Sequence, residues 1–225
     1  MYTTEIIEPP AFESPFVSVF PNVRFVLSAA QAVHFPADRG AEVAFAGRSN
    51  AGKSSALNAI VQRHGLARVS RTPGRTRLLN FFEVGPEQRI VDLPGYGFAA
   101  APEAERRTWG PMIAALRERE SLRGLVLIVD SRRGVAPEDE NLIAWAREGQ
   151  SEPMPVHVLL SKSDKLTRNE ANKVLKEARG VLGETASAQL FSAQDKIGVD
   201  EAQRVLKAWL GQRSPQSPGG SEGAL

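Results

Sequence analysis

The chain has 225 residues, 42% hydrophobic and 24% charged, which is enough apolar material to bury one sizeable core. It has no cysteine, which excludes disulfides and thiolate metal sites, and its 3 histidines (His34, His64 and His157) are too dispersed for a metal cluster. A formal net charge of +2 with a pI near 9.1 is only mildly basic, so global charge alone does not point to nucleic acid. In chain order, residues 1–22 are rich in Pro and Ser and read as an N-terminal arm. The opening "MYTTEIIEPPAFESPF" lacks the basic start and apolar centre of a signal peptide, and no apolar run reaches membrane-spanning length, so a cytoplasmic chain with no membrane partner is expected. A strand is predicted over 41–46 (AEVAFA) and a helix over 53–63. Between Arg63 and Arg77 lie five arginines (Arg63, Arg68, Arg71, Arg75 and Arg77) and no acid, a local patch of the kind that attracts phosphate backbones, although a solvated loop reads the same way. Strands over 77–84 and 88–92 are joined by "VGPEQ", which reads as a hairpin turn and makes one strand antiparallel. Helix 102–120, strand 124–130, helix 137–148, strand 155–160, helix 167–182, strand 187–191 and helix 198–211 follow. This alternation predicts right-handed βαβ units around a mostly parallel sheet. Trp109, Trp145 and Trp209 fall in helical segments as core anchors, and "NEANKVLKEAR" reads as a solvated face. Residues 212–225 (QRSPQSPGGSEGAL) cannot build a core and read as a disordered tail. No internal repeat is present, and no surplus apolar helix asks for a partner, so a monomer is expected.

The chemistry begins at "GRSNAGKSS", where G-x-x-x-x-G-K-S follows a strand and opens a helix. Loop amides from Asn50 to Ser55 can form an anion nest, strengthened by the positive end of the helix. Gly47 and Gly52 allow turns and close backbone approach, Lys53 can reach the β and γ phosphates, and the Ser54 hydroxyl can ligate Mg²⁺. In "RIVDLPG", Asp92 ends a β-branched strand, so its carboxylate can hold the Mg²⁺ shell through water while the Gly95 amide meets a γ-phosphate. Alone, Asp-Leu-Pro-Gly is also an ordinary turn. Ser161-Lys162-Ser163-Asp164 has the layout of the guanine-reading N/T-K-x-D motif: the Asp164 carboxylate can accept from guanine N1 and N2, and the Lys162 stem can pack over the base. Ser161 stands where Asn or Thr is usual and keeps the hydroxyl that pins the loop. "LFSAQDK" places Ser192 and Ala193 in a short loop whose backbone amide can contact guanine O6. Two other readings stay open: an ATP-using P-loop enzyme, against which Asp164 and Lys162 argue, and a non-catalytic, nucleotide-dependent RNA-binding protein.

Together, "GRSNAGKSSALNAI", "RTPGRTRLLNFF", "DLPGYGFA", "SKSDKL" and "FSA" resemble the EngB (YihA/YsxC) family of bacterial translation-factor-related GTPases, over residues 23–211 as one G domain. The resemblance implies a Ras-like P-loop GTPase fold, three-layer αβα, with a mostly parallel six- to seven-stranded sheet and one antiparallel strand. It also implies GTP and GDP as ligands, Mg²⁺, slow hydrolysis of GTP, a role in assembling the large ribosomal subunit on ribosomal RNA, and a link to cell division and septation. Carried over by position, Gly47, Arg48, Ser49, Asn50, Ala51, Gly52, Lys53 and Ser54 form the phosphate loop, and Gly74, Arg75, Thr76, Arg77 and Leu78 the first switch, with Thr76 as second protein ligand of Mg²⁺. Asp92, Leu93, Pro94 and Gly95 follow as the second switch. Ser161, Lys162, Ser163 and Asp164, with Phe191, Ser192 and Ala193, meet the base. Lys53, Thr76 and Gly95 are the catalytic set. Tyr96 stands where Ras-type enzymes place the glutamine that orients water. In related glutamine-lacking GTPases an asparagine at the position of Asn50 helps to hold K⁺, which makes K⁺ a second candidate cofactor. Tyr96 and Phe98 read either as an apolar partner contact or as a packed hinge.

Overall fold

The computed structural model describes residues 18–67, 78–96, 103–148 and 153–211, with backbone alone over 103–109. Apolar runs buried on both faces set the centre of the sheet, because a strand covered by helices on each side has no solvent face to alternate toward. Every residue of β2 (Ala41–Gly47) is buried, as are all of β6 (Val156–Ser161) and all but Arg123 of β5 (Leu122–Asp130). Around them lie β1 (Arg24–Ala29), β3 (Leu79–Gly85), β4 (Gln88–Asp92) and β7 (Ser187–Leu190), in the order β1-β3-β4-β2-β5-β6-β7. β3 is antiparallel to both of its neighbours, and the other pairings are parallel. The sheet is therefore seven-stranded with one reversed strand, as expected.

Five helices cover it: α1 (Lys53–Ile60), α2 (Glu103–Arg117), α3 (Pro137–Arg147), α4 (Arg168–Leu182) and α5 (Val199–Leu210). One face of the sheet packs Ala44, Val91, Leu127 and Val158 against Leu116 of α2, Ile143 of α3 and Ala178 of α4. The other packs Val43, Phe45, Ile128 and Leu159 against Leu57 of α1 and Leu206 of α5. Helix ends follow local chemistry. Thr167 caps α4 with Glu170 in a reciprocal box, and Pro137 opens α3 where a missing N–H costs nothing.

The elements depart from expectation at four points. Helix α1 stops at Ile60 rather than 63, because Gln62 takes a left-handed φ of 54°. The strand expected at 124 begins at Leu122. β1 lies where no strand was placed; its RFVLSA run leaves Phe25 and Val26 exposed and carries a register shift between Phe25 and Leu27, so it shows neither alternation nor a buried run. Phe20, inside the expected arm, is buried in the core beside Val23. At the end of β2 remote from the phosphate loop, Glu42 is fully buried between Arg89 Nε (2.7 Å) and Arg119 Nε (2.6 Å). Both guanidinium groups also donate to the Ala37 carbonyl. No helix among the described residues is long and apolar enough to cross a membrane.

Candidate nucleotide-binding site

The carboxyl ends of β2, β4, β5 and β6 meet at one rim of the sheet, where α/β sheets place ligands. Gly47 ends β2 so close to β5 that a Cβ on it would lie 2.7 Å from the Ile128 carbonyl oxygen. The chain then turns through Asn50, at φ 65°, and Gly52, at φ 101°, before α1 begins at Lys53. A positive φ at Gly52 costs a glycine little, and it aims the first-turn amides, which have no partner inside the helix, into the loop. Phosphate-loop geometry is therefore built from the residues that the motif named.

Lys53 and Asp92 form a largely buried ion pair, the lysine side chain 12% and the aspartate side chain 9% exposed. Lys53 opens α1 and Asp92 ends β4, so the lysine and the acid of the two motifs converge. Ser54 is the next residue of α1. Its hydroxyl and the Asp92 carboxylate are hard oxygen donors of the kind Mg²⁺ selects, and no cluster of three His, Asp or Glu that could hold a metal occurs among the described residues. A site that takes few protein ligands and fills its shell from phosphate and water fits this donor set. Leu93 donates its amide to the Phe45 carbonyl (2.9 Å), and a Cβ on Gly95 would lie 2.8 Å from Ser49 Oγ, so the second switch starts pressed against the phosphate loop.

Tyr96 continues that contact. The Ser49 amide donates to its carbonyl (2.9 Å), and its own hydroxyl donates to Asp139 Oδ1 (2.5 Å). Asp139 is fully buried, and its Oδ2 accepts from the Ala136 amide (2.8 Å) at the start of α3. Burial, then the neighbouring Asp139, pushes the Tyr96 phenol well above its ordinary range. Of the two readings of Tyr96, the packed one matches this geometry. Arg48 reaches the same helix through Glu138 (3.6 Å).

The base-reading loop docks on the phosphate loop. Ser161 Oγ donates to the Ala51 carbonyl (2.5 Å), with the Val129 carbonyl at 3.0 Å, so its hydroxyl does pin the loop. Lys162, at φ 58°, donates from Nζ to the Asn50 carbonyl (2.5 Å) and to Asp130 Oδ2 (2.9 Å). The Ser163 amide donates to the Phe191 carbonyl (3.1 Å), joining the loop to the end of β7. Asp164 Oδ1 accepts from Ser192 Oγ (2.6 Å), and Lys165 Nζ lies 2.9 Å from Oδ2. The Ser192 hydroxyl, then Lys165, holds the Asp164 carboxyl below its usual range, so it is a carboxylate ready to accept. Ser192 thus acts by its side chain, and its amide is taken by the Ile197 carbonyl (3.0 Å).

Gly74, Arg75, Thr76 and Arg77 of the first switch lie outside the described residues, as do Arg68, Arg71 and Phe98. Leu78 is half-buried just ahead of β3, and Arg63 donates to the Pro21 carbonyl (2.9 Å). Asp130 and Asp139 were not singled out in the sequence. Asp130 had a signal, since "LIVDSR" ends an apolar strand in an acid just as "RIVDLP" does.

Residues 42–162 match the family described as 50S ribosome-binding GTPase. A "Probable GTP-binding protein EngB" from Aromatoleum aromaticum is 49% identical over 204 residues, 89% of this chain and 93% of that protein. One of the same name from Azoarcus sp. is 50% identical over 198 residues, covering 85% and 93%. A crystal structure of a probable GTP-binding protein engB superposes with a TM-score of 0.61 at 23% identity, covering 77% of this chain and all of that one. A structure of Era with MgGDPNP and ribosomal RNA gives 0.58 at 22% identity, covering 81% and 60%, which is a likeness of fold alone. Phosphate loop, lysine–aspartate pair, docked base-reading loop and near-full-length relatives agree: the chain belongs to the EngB family of GTP-binding proteins, P-loop GTPases.

Proposed function

We propose that this chain is a slow, Mg²⁺-dependent GTP-hydrolysing switch in assembly of the large ribosomal subunit, linked to cell division and septation and working as a cytoplasmic monomer. The observation that carries the guanine reading is the Asp164 carboxylate, oriented by Ser192 on a loop that Ser161 and Lys162 tie to the phosphate loop. Asp164 accepts from guanine N1 and N2, and the Ala193 amide meets O6. Adenine offers no such pair of donors and would leave the carboxylate unpaired. The family description of residues 42–162 supports a ribosomal partner.

Loop amides between Asn50 and Ser55 cradle the phosphates, and Lys53 exchanges Asp92 for the β and γ oxygens. Ser54, Thr76 and, through water, Asp92 would hold Mg²⁺, which when bound neutralises charge on those oxygens. Water attacks the γ-phosphorus in line, the bond to the bridging oxygen breaks, and Lys53 and the Gly95 amide stabilise charge on the oxygens that bear it. Tyr96 offers no carboxamide to orient that water, and its hydroxyl is engaged by Asp139, which supports slow intrinsic turnover. Asn50 is the candidate K⁺ ligand. With ribosomal subunits present, turnover is expected to be faster in K⁺ than in Na⁺ buffer, and equal rates remove K⁺ from the mechanism.

Co-sedimentation with purified large ribosomal subunits tests the whole reading. Binding is expected with a non-hydrolysable GTP analogue and not with GDP or the matching ATP analogue. Binding indifferent to nucleotide, or none, would defeat the switch.

A further inference from the structure

Asp130 ends β5 and has no part in the reading above. Its carboxylate, 6% exposed, is reached from two sides. Arg132 donates Nε to Oδ1 (2.9 Å) and a terminal nitrogen to Oδ2 (2.7 Å), and its amide donates to Oδ1 (3.1 Å). From the neighbouring loop, Lys162 Nζ donates to Oδ2 at 2.9 Å. The same ammonium reaches the Asn50 carbonyl at 2.5 Å. Arg132 alone would satisfy a carboxylate that merely capped a strand, since a bidentate guanidinium and an amide already fill most of its acceptor sites. The second cation comes from the base-reading motif and bridges Asp130 to the phosphate loop. Burial works against the charged form, but the hydrogen bonds from Arg132 and Lys162 outweigh it and keep the group ionised.

We propose that Asp130 is a positioning residue for guanine selectivity: it fixes Lys162 as a strut between the base-reading loop and the phosphate loop, so that the lysine stem is set over the base and Asp164 stays in register with the phosphates. Without Asp130, Lys162 has one anchor, a loop carbonyl, and the long side chain regains rotamer freedom that nucleotide binding must then remove. The proposal rests on the GTP reading of this site.

The test uses the full chain and a double-mutant cycle. Binding of GDP and ADP is titrated for wild type, Asp130→Asn, Lys162→Met and the double variant, alongside thermal melts without nucleotide. Asp130→Asn is expected to weaken GDP binding at least tenfold while ADP changes less than twofold, narrowing the guanine preference. Lys162→Met does the same, and the double variant is no worse than the weaker single within threefold. Equal losses for both nucleotides, unchanged GDP affinity, or losses that multiply in the double variant would overturn it. A wild type with no preference for GDP over ADP would instead defeat the GTP reading itself. If Asp130→Asn does not fold, Arg132→Gln decides: Lys162 then keeps the carboxylate and GDP affinity stays within threefold, whereas a tenfold loss makes Arg132 the working partner and overturns the role given to Lys162.

Discussion

Asp164, Ser161 and Tyr96 show how far single residues can be read. The first two were legible because their motif fixes both type and spacing: Ser161 makes the loop contact expected of its hydroxyl, and Asp164 is held in place by Ser192 and Lys165. On the proposed guanine reading, replacing Asp164 by Ala removes the acceptor for two base donors and should cost about 2–4 kcal/mol of GDP affinity, checked by calorimetric titration. Ser161→Ala removes the buried hydroxyl that donates to the Ala51 carbonyl. A loss of about 1–2 kcal/mol in urea unfolding is expected, and an unchanged midpoint would mean that the loop is pinned elsewhere. Tyr96 was only half legible. That it is not glutamine is written in the sequence, but its partner Asp139 is 43 residues away and on another element. Tyr96→Phe strips a donor from a fully buried carboxylate, so stability should fall by about 1–3 kcal/mol. Single-turnover GTP hydrolysis should meanwhile stay within about threefold. A large fall in that rate would give the phenol a catalytic part.

Elements were read best where burial is two-sided and worst at the edge. The runs that became β2, β5 and β6 are apolar because both faces are covered, and "VGPEQ" formed its hairpin with Glu87 at φ 56°. β1 escaped because an edge strand with a register shift need not alternate, and its exposed Phe25 looks like loop composition. Contact between elements is not written in either sequence alone. Gly124 of β5 carries no sequence signal of its role; once α5 is docked, Trp209 covers it so closely that a Cβ would fall inside the indole ring's contact distance. Gly124→Ala must therefore push Trp209 and α5 outward. A loss of about 1–3 kcal/mol is expected in chemical denaturation, partly recovered in combination with Trp209→Leu.

For the whole molecule, pH is the broadest lever. His157 is buried between Ser187 Oγ (2.7 Å) and Gln189 Oε1 (2.8 Å), and because the Gln189 amide nitrogen donates to the Gly198 carbonyl, Nε2 carries the proton. Burial holds its pKa below the ordinary 6.5. The unfolded chain therefore takes up a proton near 6.5 that the folded chain refuses, so stability is intact above that pH and declines as pH falls below it. Melts from pH 8 to pH 5 should show this decline, and His157→Leu should flatten it. Below about 3.8 a second loss follows, because Asp38 and Asp130 are held ionised in the fold and protonate more readily in the unfolded chain. The buried Glu42 adds a consequence for how the chain is made. Its two arginines lie 47 and 77 residues further on. As the chain emerges from a ribosome, the carboxylate of the central strand meets its second counter-charge only after Arg119 is free. A stably buried β2 therefore waits for more than half of the chain, and arrest at successive lengths should reveal a protease-resistant core only beyond that point.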